Sequence, residues 1–319
     1  MKSLLLVENL AIEFKNRFAK FRVPDNISFT VFEGECVGLV GESGSGKSVT
    51  ALAIMGLLPK NARITTGRIV FDGIDITSTE DHPRGRKMSM VFQNPLNSLN
   101  PNMKIGQQLC EVLVENFKMS KEEARKKVVE TMTKLGIFEA EEMLERYPFE
   151  YSGGMRQRAM IAMAMLCEPK LLIADEPTTA LDVTIQAQIM QLFRQLKSSS
   201  KTSILFISHD LSLVAQIADK VIVMYAGKIC EISPTRKLFT DPLHPYTQGL
   251  ISSIPDLKKR ESKLHSIEGS VPSPLNPPSG CRFHPRCDKR LEICVQQDPP
   301  EIWTEERFVK CWLYEKAGV

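Results

Sequence analysis

One stretch restricts the fold more than any other. The apolar run Glu35–Val40 (ECVGLV) leads straight into Gly41-Glu42-Ser43-Gly44-Ser45-Gly46-Lys47-Ser48, and a helix-compatible run, VTALAIMGLL, follows. This is the GxxxxGK[ST] spacing in the strand–helix context the motif requires. Glycines let the backbone curl until several N–H groups converge on one point. The positive end of the following helix lies at that same point. A polyphosphate fits such a cradle. Gly41, Ser43, Gly44, Ser45 and Gly46 shape it, Lys47 reaches the β- and γ-phosphates, and the Ser48 hydroxyl ligates Mg²⁺.

The surrounding pattern agrees with an α/β fold. Leu171–Ala174 (LLIA), Ser203–Ile207 (SILFI) and Val221–Met224 (VIVM) are short apolar runs separated by helical segments, which predicts buried strands of a largely parallel sheet. The first of these ends in Asp175-Glu176. Beside a phosphate loop, Asp175 would help hold Mg²⁺, mostly through its water shell. Glu176 is the candidate general base for an attacking water. Residues 104–147 are charged and poor in β-branched runs, and Ser120 with Glu123 fits a capping box. They predict a helical subdomain, about 95–155, inserted in the core.

Composition shifts near residue 230. Residues 231–319 hold 11 of the 19 prolines and four of the eight cysteines. Ser270–Gly280 (SVPSPLNPPSG) is linker-like and should be extended, with turns. Elsewhere the chain is ordinary for a globular protein, with 43% hydrophobic and 25% charged residues, which excludes a disordered or collagen-like chain. A net charge of +3 is too near balance to argue for nucleic-acid binding. Glu8 and Glu13 interrupt the first apolar run too early for a signal peptide. No run approaches the roughly 20 apolar residues that a membrane span needs. A reducing compartment, where thiols stay free or bind metal, is therefore expected.

Further motifs make the resemblance specific. Tyr151-Ser152-Gly153-Gly154-Met155-Arg156-Gln157-Arg158 resembles the LSGGQ signature of ATP-binding-cassette (ABC) ATPases, with Tyr151 and Met155 in place of the usual Leu and Gln. Gln93 (MVFQNP) resembles the Q-loop glutamine, Pro177–Asp182 (PTTALD) the D-loop, and Ser208-His209-Asp210 the switch-histidine element. The order is that of the family. The resemblance implies a P-loop ABC ATPase cassette over residues 1–230 and a C-terminal extension over 231–319. It implies catalytic roles for Glu176, His209 and Gln93, with Gln93 also near Mg²⁺. Adenine would stack on Phe14, with Phe21 second; either ring could instead belong to the core. Ser152, Gly153 and Gly154, with Asp182 nearby, would close on the γ-phosphate held by a second cassette.

In the extension, Asp241–Thr247 (DPLHPYT) resembles the oligopeptide/dipeptide branch of importer ATPases, which also includes nickel importers. Cys281, Cys287, Cys294 and Cys311 follow with spacing C-x5-C-x6-C-x16-C. Four clustered cysteines suggest a metal site. The branch implies a [4Fe–4S] cluster, with zinc and no metal as alternatives, zinc sites more commonly showing C-x2-C knuckles. His244 and His284 rank below the cysteines as ligands. Cys36, Cys110, Cys167 and Cys230 read as packing residues.

The function implied is ATP hydrolysis that energises import of peptides or related small solutes. The partners implied are two transmembrane permease subunits, a second ABC ATPase subunit and, indirectly, a periplasmic or extracellular solute-binding protein. A heterodimer of ATPases is expected over a homodimer. The expected location is peripheral, on the cytoplasmic face of the cell membrane. The alternative is a soluble ABC ATPase acting on nucleic acid or ribosomes. A single cassette, a short insert and near-neutral charge disfavour it. A non-hydrolysing architectural cassette is a third class, and Lys47, Asp175, Glu176 and His209 argue against it. The sequence does not specify the substrate.

Overall fold

The computed structural model describes residues 2–15, 19–93, 98–179, 181–199, 201–254, 266–304 and 306–315. Residue 95, the expected start of the helical subdomain, Ala180 of the PTTALD run and residues 256–265 lie outside the described residues. In chain order the strands are β1 (Ser3–Lys15), β2 (Lys20–Arg22), β3 (Ile27–Phe32), β4 (Cys36–Val40), β5 (Ala62–Phe71), β6 (Ile74–Asp75), β7 (Met88–Val91), β8 (Leu171–Asp175), β9 (Ser203–Ser208), β10 (Lys220–Tyr225), β11 (Lys228–Pro234), β12 (Glu301–Trp303) and β13 (Phe308–Lys310). The α-helices used below are α1 (Lys47–Ile54), α2 (Ile105–Phe117), α3 (Lys121–Lys134), α4 (Ala140–Met143), α5 (Gly153–Met165), α6 (Val183–Ser199), α7 (Leu211–Ala215), α8 (Thr235–Thr240) and α9 (Pro245–Ser252). The four apolar runs expected as strands are β4, β8, β9 and β10. Among the described residues, no helix is long and apolar enough to cross a membrane.

The chain divides into two compact units. The first comprises Met1–Lys2, Phe32–Glu35 and Glu80–Ile207. Here β7, β8 and β9 pair in parallel. Every residue of β8 and β9 is buried. Strands covered on both faces must be apolar throughout, which is why these runs do not alternate.

The charged segment 104–147 forms α2, α3 and α4. In α2, Ile105, Leu109 and Leu113 are buried, and in α3, Ala124, Val128 and Met132. A spacing of four residues puts each trio on one helical face. The helices pack against each other, and α3 also packs on α5. The capping box is present: the Glu123 N–H donates to Ser120 Oγ at 3.3 Å, and the Ser120 N–H donates to the Glu123 carboxylate at 3.0 Å.

The second unit comprises Ser3–Val31, Cys36–Thr79 and Ser208–Val319. It contains an antiparallel sheet in the order β2-β1-β5-β6, with β3 on β1. It also contains β4 parallel to β10, after which β11, β13 and β12 continue antiparallel. The extension thus adds strands to the edge of β11, and it belongs to the same compact unit as the phosphate loop. Its root is a buried carboxylate. Glu231, on β11, accepts the N–H groups of Leu243 and His244 and pairs with Arg307 at 3.3 Å. Ser270–Gly280 forms no helix or strand, as expected of a proline-rich stretch.

The capping box has a measurable consequence. Ser120→Ala should lower unfolding stability by about 1 kcal/mol, the usual worth of such a cap. Chemical denaturation of both proteins measures it.

Candidate nucleotide-binding site

The phosphate loop follows from β4 and opens α1. At Gly41 (φ 154) an added Cβ would meet the Met224 carbonyl oxygen at 2.1 Å, so only glycine fits. Gly46 caps α1 with φ 102, a conformation glycine adopts without penalty. Lys47 is buried, 4% exposed. Its ammonium turns back onto the loop, donating to the carbonyls of Gly41 at 2.7 Å and Glu42 at 3.0 Å. Ser45 is fully buried. The loop is therefore curled around its own cation, the arrangement a phosphate would exploit.

The acidic strand end lies in the other unit. β8 delivers Asp175, 4% exposed, as its last residue. The chain then turns sharply at Glu176, whose φ is 47, a region uncommon for residues other than glycine. The Glu176 N–H donates to the Ile207 carbonyl at 2.9 Å. Its Oε2 accepts from Gln93 Nε2 at 2.7 Å and from Thr179 Oγ1 at 3.0 Å. Gln93 and Glu176, which belong to separate sequence motifs, are thus brought into direct contact. A carboxylate only accepts, so Gln93 must present its NH₂ end to it. That leaves the Gln93 amide oxygen as the acceptor end of the side chain. Thr179 has no role assigned from sequence; its place three residues after Glu176 is the available signal.

The signature begins at Tyr151, 2% exposed, whose hydroxyl donates to the Met143 carbonyl at 2.8 Å. Burial pushes its ionisation well above the usual tyrosine range. Tyr151 fills a buried position with its hydroxyl satisfied. Ser152 is the N-cap of α5, accepting from the Met155 N–H at 3.3 Å. Ser152 and Gly153 are exposed while Gly154 is buried. A Cβ on Gly154 would meet Ile185 Cγ2 at 2.8 Å. Asp182 accepts the Ile185 N–H at 2.9 Å and so caps α6. The signature turn and the D-loop aspartate accordingly open two helices that touch at Gly154.

His209 follows β9 and is exposed. The next residue, Asp210, caps α7 by accepting from the Ser212 N–H at 2.8 Å. Phe14, half-buried near the end of β1, stacks on Phe21 of β2 with centroids 5.2 Å apart and planes 6° apart. The two adenine candidates are one stacked pair.

The metal expectation for the extension finds no support in this arrangement. Among the described residues, no group of three or more His, Cys, Asp or Glu side chains could hold a metal ion. Cys281 and Cys287 are half-buried, and Cys294 and Cys311 are buried. Burial, with smaller contributions from Cys294, Cys311 and Cys287, pushes the Cys281 thiol up to about 12. Burial likewise pushes Cys311 up to about 11. A metal would have to displace these thiol protons on binding. His244 is buried, pushed down to about 3 by burial, with Nδ1 accepting the Tyr246 N–H at 3.0 Å. His284 Nδ1 lies 2.9 Å from the Cys281 carbonyl oxygen.

Known proteins share these features. Residues 24–179 match the ABC transporter family model, and residues 230–294 match the C-terminal region of oligopeptide/dipeptide transporters. The oligopeptide transport ATP-binding protein AppD of Bacillus subtilis is 48% identical over 100% of this chain and 99% of its own. The chain belongs to the ABC transporter ATPases. Within them it carries the C-terminal region of the oligopeptide/dipeptide transporters. OppD of Escherichia coli, an oligopeptide transport ATP-binding protein, is 46% identical over 97% of this chain and 93% of its own. The ATP-binding cassette MJ0796, solved as a dimer in a post-hydrolysis state with ADP and phosphate, superposes with a TM-score of 0.65 at 27% identity. That match covers 73% of this chain and 99% of MJ0796. The P-loop ABC ATPase fold and ATP as ligand follow from this membership.

Removing the loop's cation should abolish tight nucleotide binding. Lys47→Ala is expected to weaken ATP affinity at least about a hundredfold, the scale of deleting a charge-assisted hydrogen bond to a polyphosphate. Isothermal calorimetry measures it, and unchanged affinity would refute the assignment.

Proposed function

We propose that this chain is the ATP-hydrolysing subunit of an importer for peptides or related small solutes, acting at the cytoplasmic face of a membrane. The observation that carries the reading is full-length similarity to peptide-transport ATPases, joined to a cassette with every hydrolytic residue type present. The same similarity disfavours the soluble, nucleic-acid-directed alternative.

The roles follow from the chemistry. Lys47 and the N–H groups of Gly41–Ser48 bind the triphosphate, and the Phe14–Phe21 pair offers a face for adenine. Ser48, Asp175 and the Gln93 amide oxygen are hard oxygen donors of the kind Mg²⁺ takes, and they would hold it with the phosphates. The ion supplies positive charge where phosphoryl transfer develops negative charge. Glu176 orients and polarises the attacking water, its carboxylate held by Gln93 and Thr179. His209 contacts the γ-phosphate. Exposed Ser152 and Gly153, at the start of a 13-residue helix, form an anion site for ATP held by a second cassette, with Asp182 beside it. ATP binds the closed pair better than the open one, and hydrolysis removes that preference.

The partners in this reading are two membrane permease subunits, a second ABC ATPase in a heterodimer, and a solute-binding protein outside. The cassette spans 1–230, with its helical subdomain at about 95–155, and the extension 231–319. We propose separately that Cys281, Cys287, Cys294 and Cys311 ligate a [4Fe–4S] cluster. The support is their spacing and mutual electrostatic reach. Loading would convert the protonated thiols to thiolates.

Two outcomes are expected. Glu176→Gln should retain ATP binding, stall hydrolysis and accumulate an ATP-bound dimer with the partner ATPase, read by phosphate release and size-exclusion chromatography. Wild-type turnover in that variant would remove Glu176 as the base. Anaerobically purified protein should carry about four iron and four sulfide per chain. Stoichiometric zinc, or no metal, would remove the cluster.

A further inference from the structure

The phosphate loop is gripped from outside by the C-terminal extension. Glu42, its second residue, is engaged at its backbone N–H and at its carboxylate. Its N–H donates to the Tyr246 hydroxyl at 3.0 Å. Its carboxylate pairs with Arg286, whose Nη1 lies 2.9 and 3.1 Å from the two oxygens. Tyr246 is fully buried, and the Arg286 side chain is 6% exposed. The rest of the guanidinium is also engaged. Nη1 donates to the Tyr225 hydroxyl at 3.3 Å, Nη2 to the Ile267 carbonyl at 3.1 Å and Nε to the Glu268 carbonyl at 2.8 Å.

A second grip acts further along the loop. The Gly227 N–H donates to the Ser45 carbonyl at 3.0 Å. The turn bearing Gly227 is held by Arg282, which donates to the Ala226 carbonyl and pairs with Asp25. Between the two arginines sits Phe283, 4% exposed, packed on Tyr225 and Tyr246 with centroids 5.1 and 5.3 Å away. The short segment Arg282–Arg286 therefore contacts the phosphate loop directly at Glu42 and reaches Ser45 through the turn bearing Gly227.

We propose that the C-terminal extension sets the phosphate loop for nucleotide, with Arg286 and Tyr246 as positioning residues acting through Glu42. This rests on the reading that Gly41–Ser48 binds ATP. Two physical effects are involved. A loop already ordered loses less entropy when it binds. Glu42 also places a negative charge inside a loop that receives a polyanion, and Arg286 offsets that charge. A change in the extension is thereby felt as a change in ATP affinity.

The test is a mutant cycle on the full chain, with ATP affinity measured by calorimetry and KM and kcat by phosphate release. Arg286→Ala should weaken ATP binding about tenfold, less than Lys47→Ala because Arg286 acts through Glu42 and not on the phosphates, and KM should rise more than kcat falls. Glu42→Gln removes the stranded charge, so Arg286→Ala in that background should cost markedly less than alone. Arg286→Lys keeps the charge but cannot fill the planar fork, and its loss should be intermediate. If Arg286→Ala does not fold, Arg286→Lys and Glu42→Gln carry the test. Lys47→Ala is the control for the underlying reading. If Lys47→Ala loses ATP while the Arg286 and Glu42 variants bind like the parent, or their effects simply add, the positioning proposal falls. If Lys47→Ala itself binds ATP normally, the nucleotide reading falls instead.

Discussion

A backbone path that only glycine can follow governs this molecule. At Gly41 the chain passes so close to the Met224 carbonyl that no side chain has room, and at Gly46 it enters α1 from a left-handed turn. Along this path the carbonyls of Gly41 and Glu42 point inward onto Lys47. Two carbonyls of the loop thus close on a buried ammonium. Side chains far away in sequence, Tyr246 and Arg286, hold the loop from outside at Glu42.

The acidic half follows a different logic. A strand buried on both faces must be apolar until its end, and then polarity appears abruptly at Asp175 and Glu176. The chain turns at the positive φ of Glu176, and the side chain meets Gln93 and Thr179. Two neutral donors on one carboxylate oxygen fix its orientation. The helical subdomain contributes through the packing of α3 on α5, the helix that carries Ser152 at its start.

Much of this is legible in the chain itself. Continuous apolar runs mark β4, β8, β9 and β10, because strands covered on both sides leave no alternation to misread. The serine and glutamate at 120 and 123 are a local code, and the cap they form is local. The antiparallel sheet is harder to see. β1 changes register against β5 between Glu8 and Ile12, which breaks the period of two along LLLVENLAIEF. Pairings between distant residues leave no local mark at all: Glu42 and Arg286 are 244 positions apart. The cysteines pose a different question: their spacing is conspicuous in the sequence, while among the described residues no group of three or more His, Cys, Asp or Glu side chains is arranged to hold a metal ion.

At Gly154 the side chain is a single hydrogen, and α5 approaches α6 until Ile185 fills the place a methyl group would take. One helix opens with Ser152 and the other with Asp182, so these two polar tips are mounted on a single bolted joint. A larger residue at 154 would push the two helices apart there, and with them the serine and the aspartate at their starts.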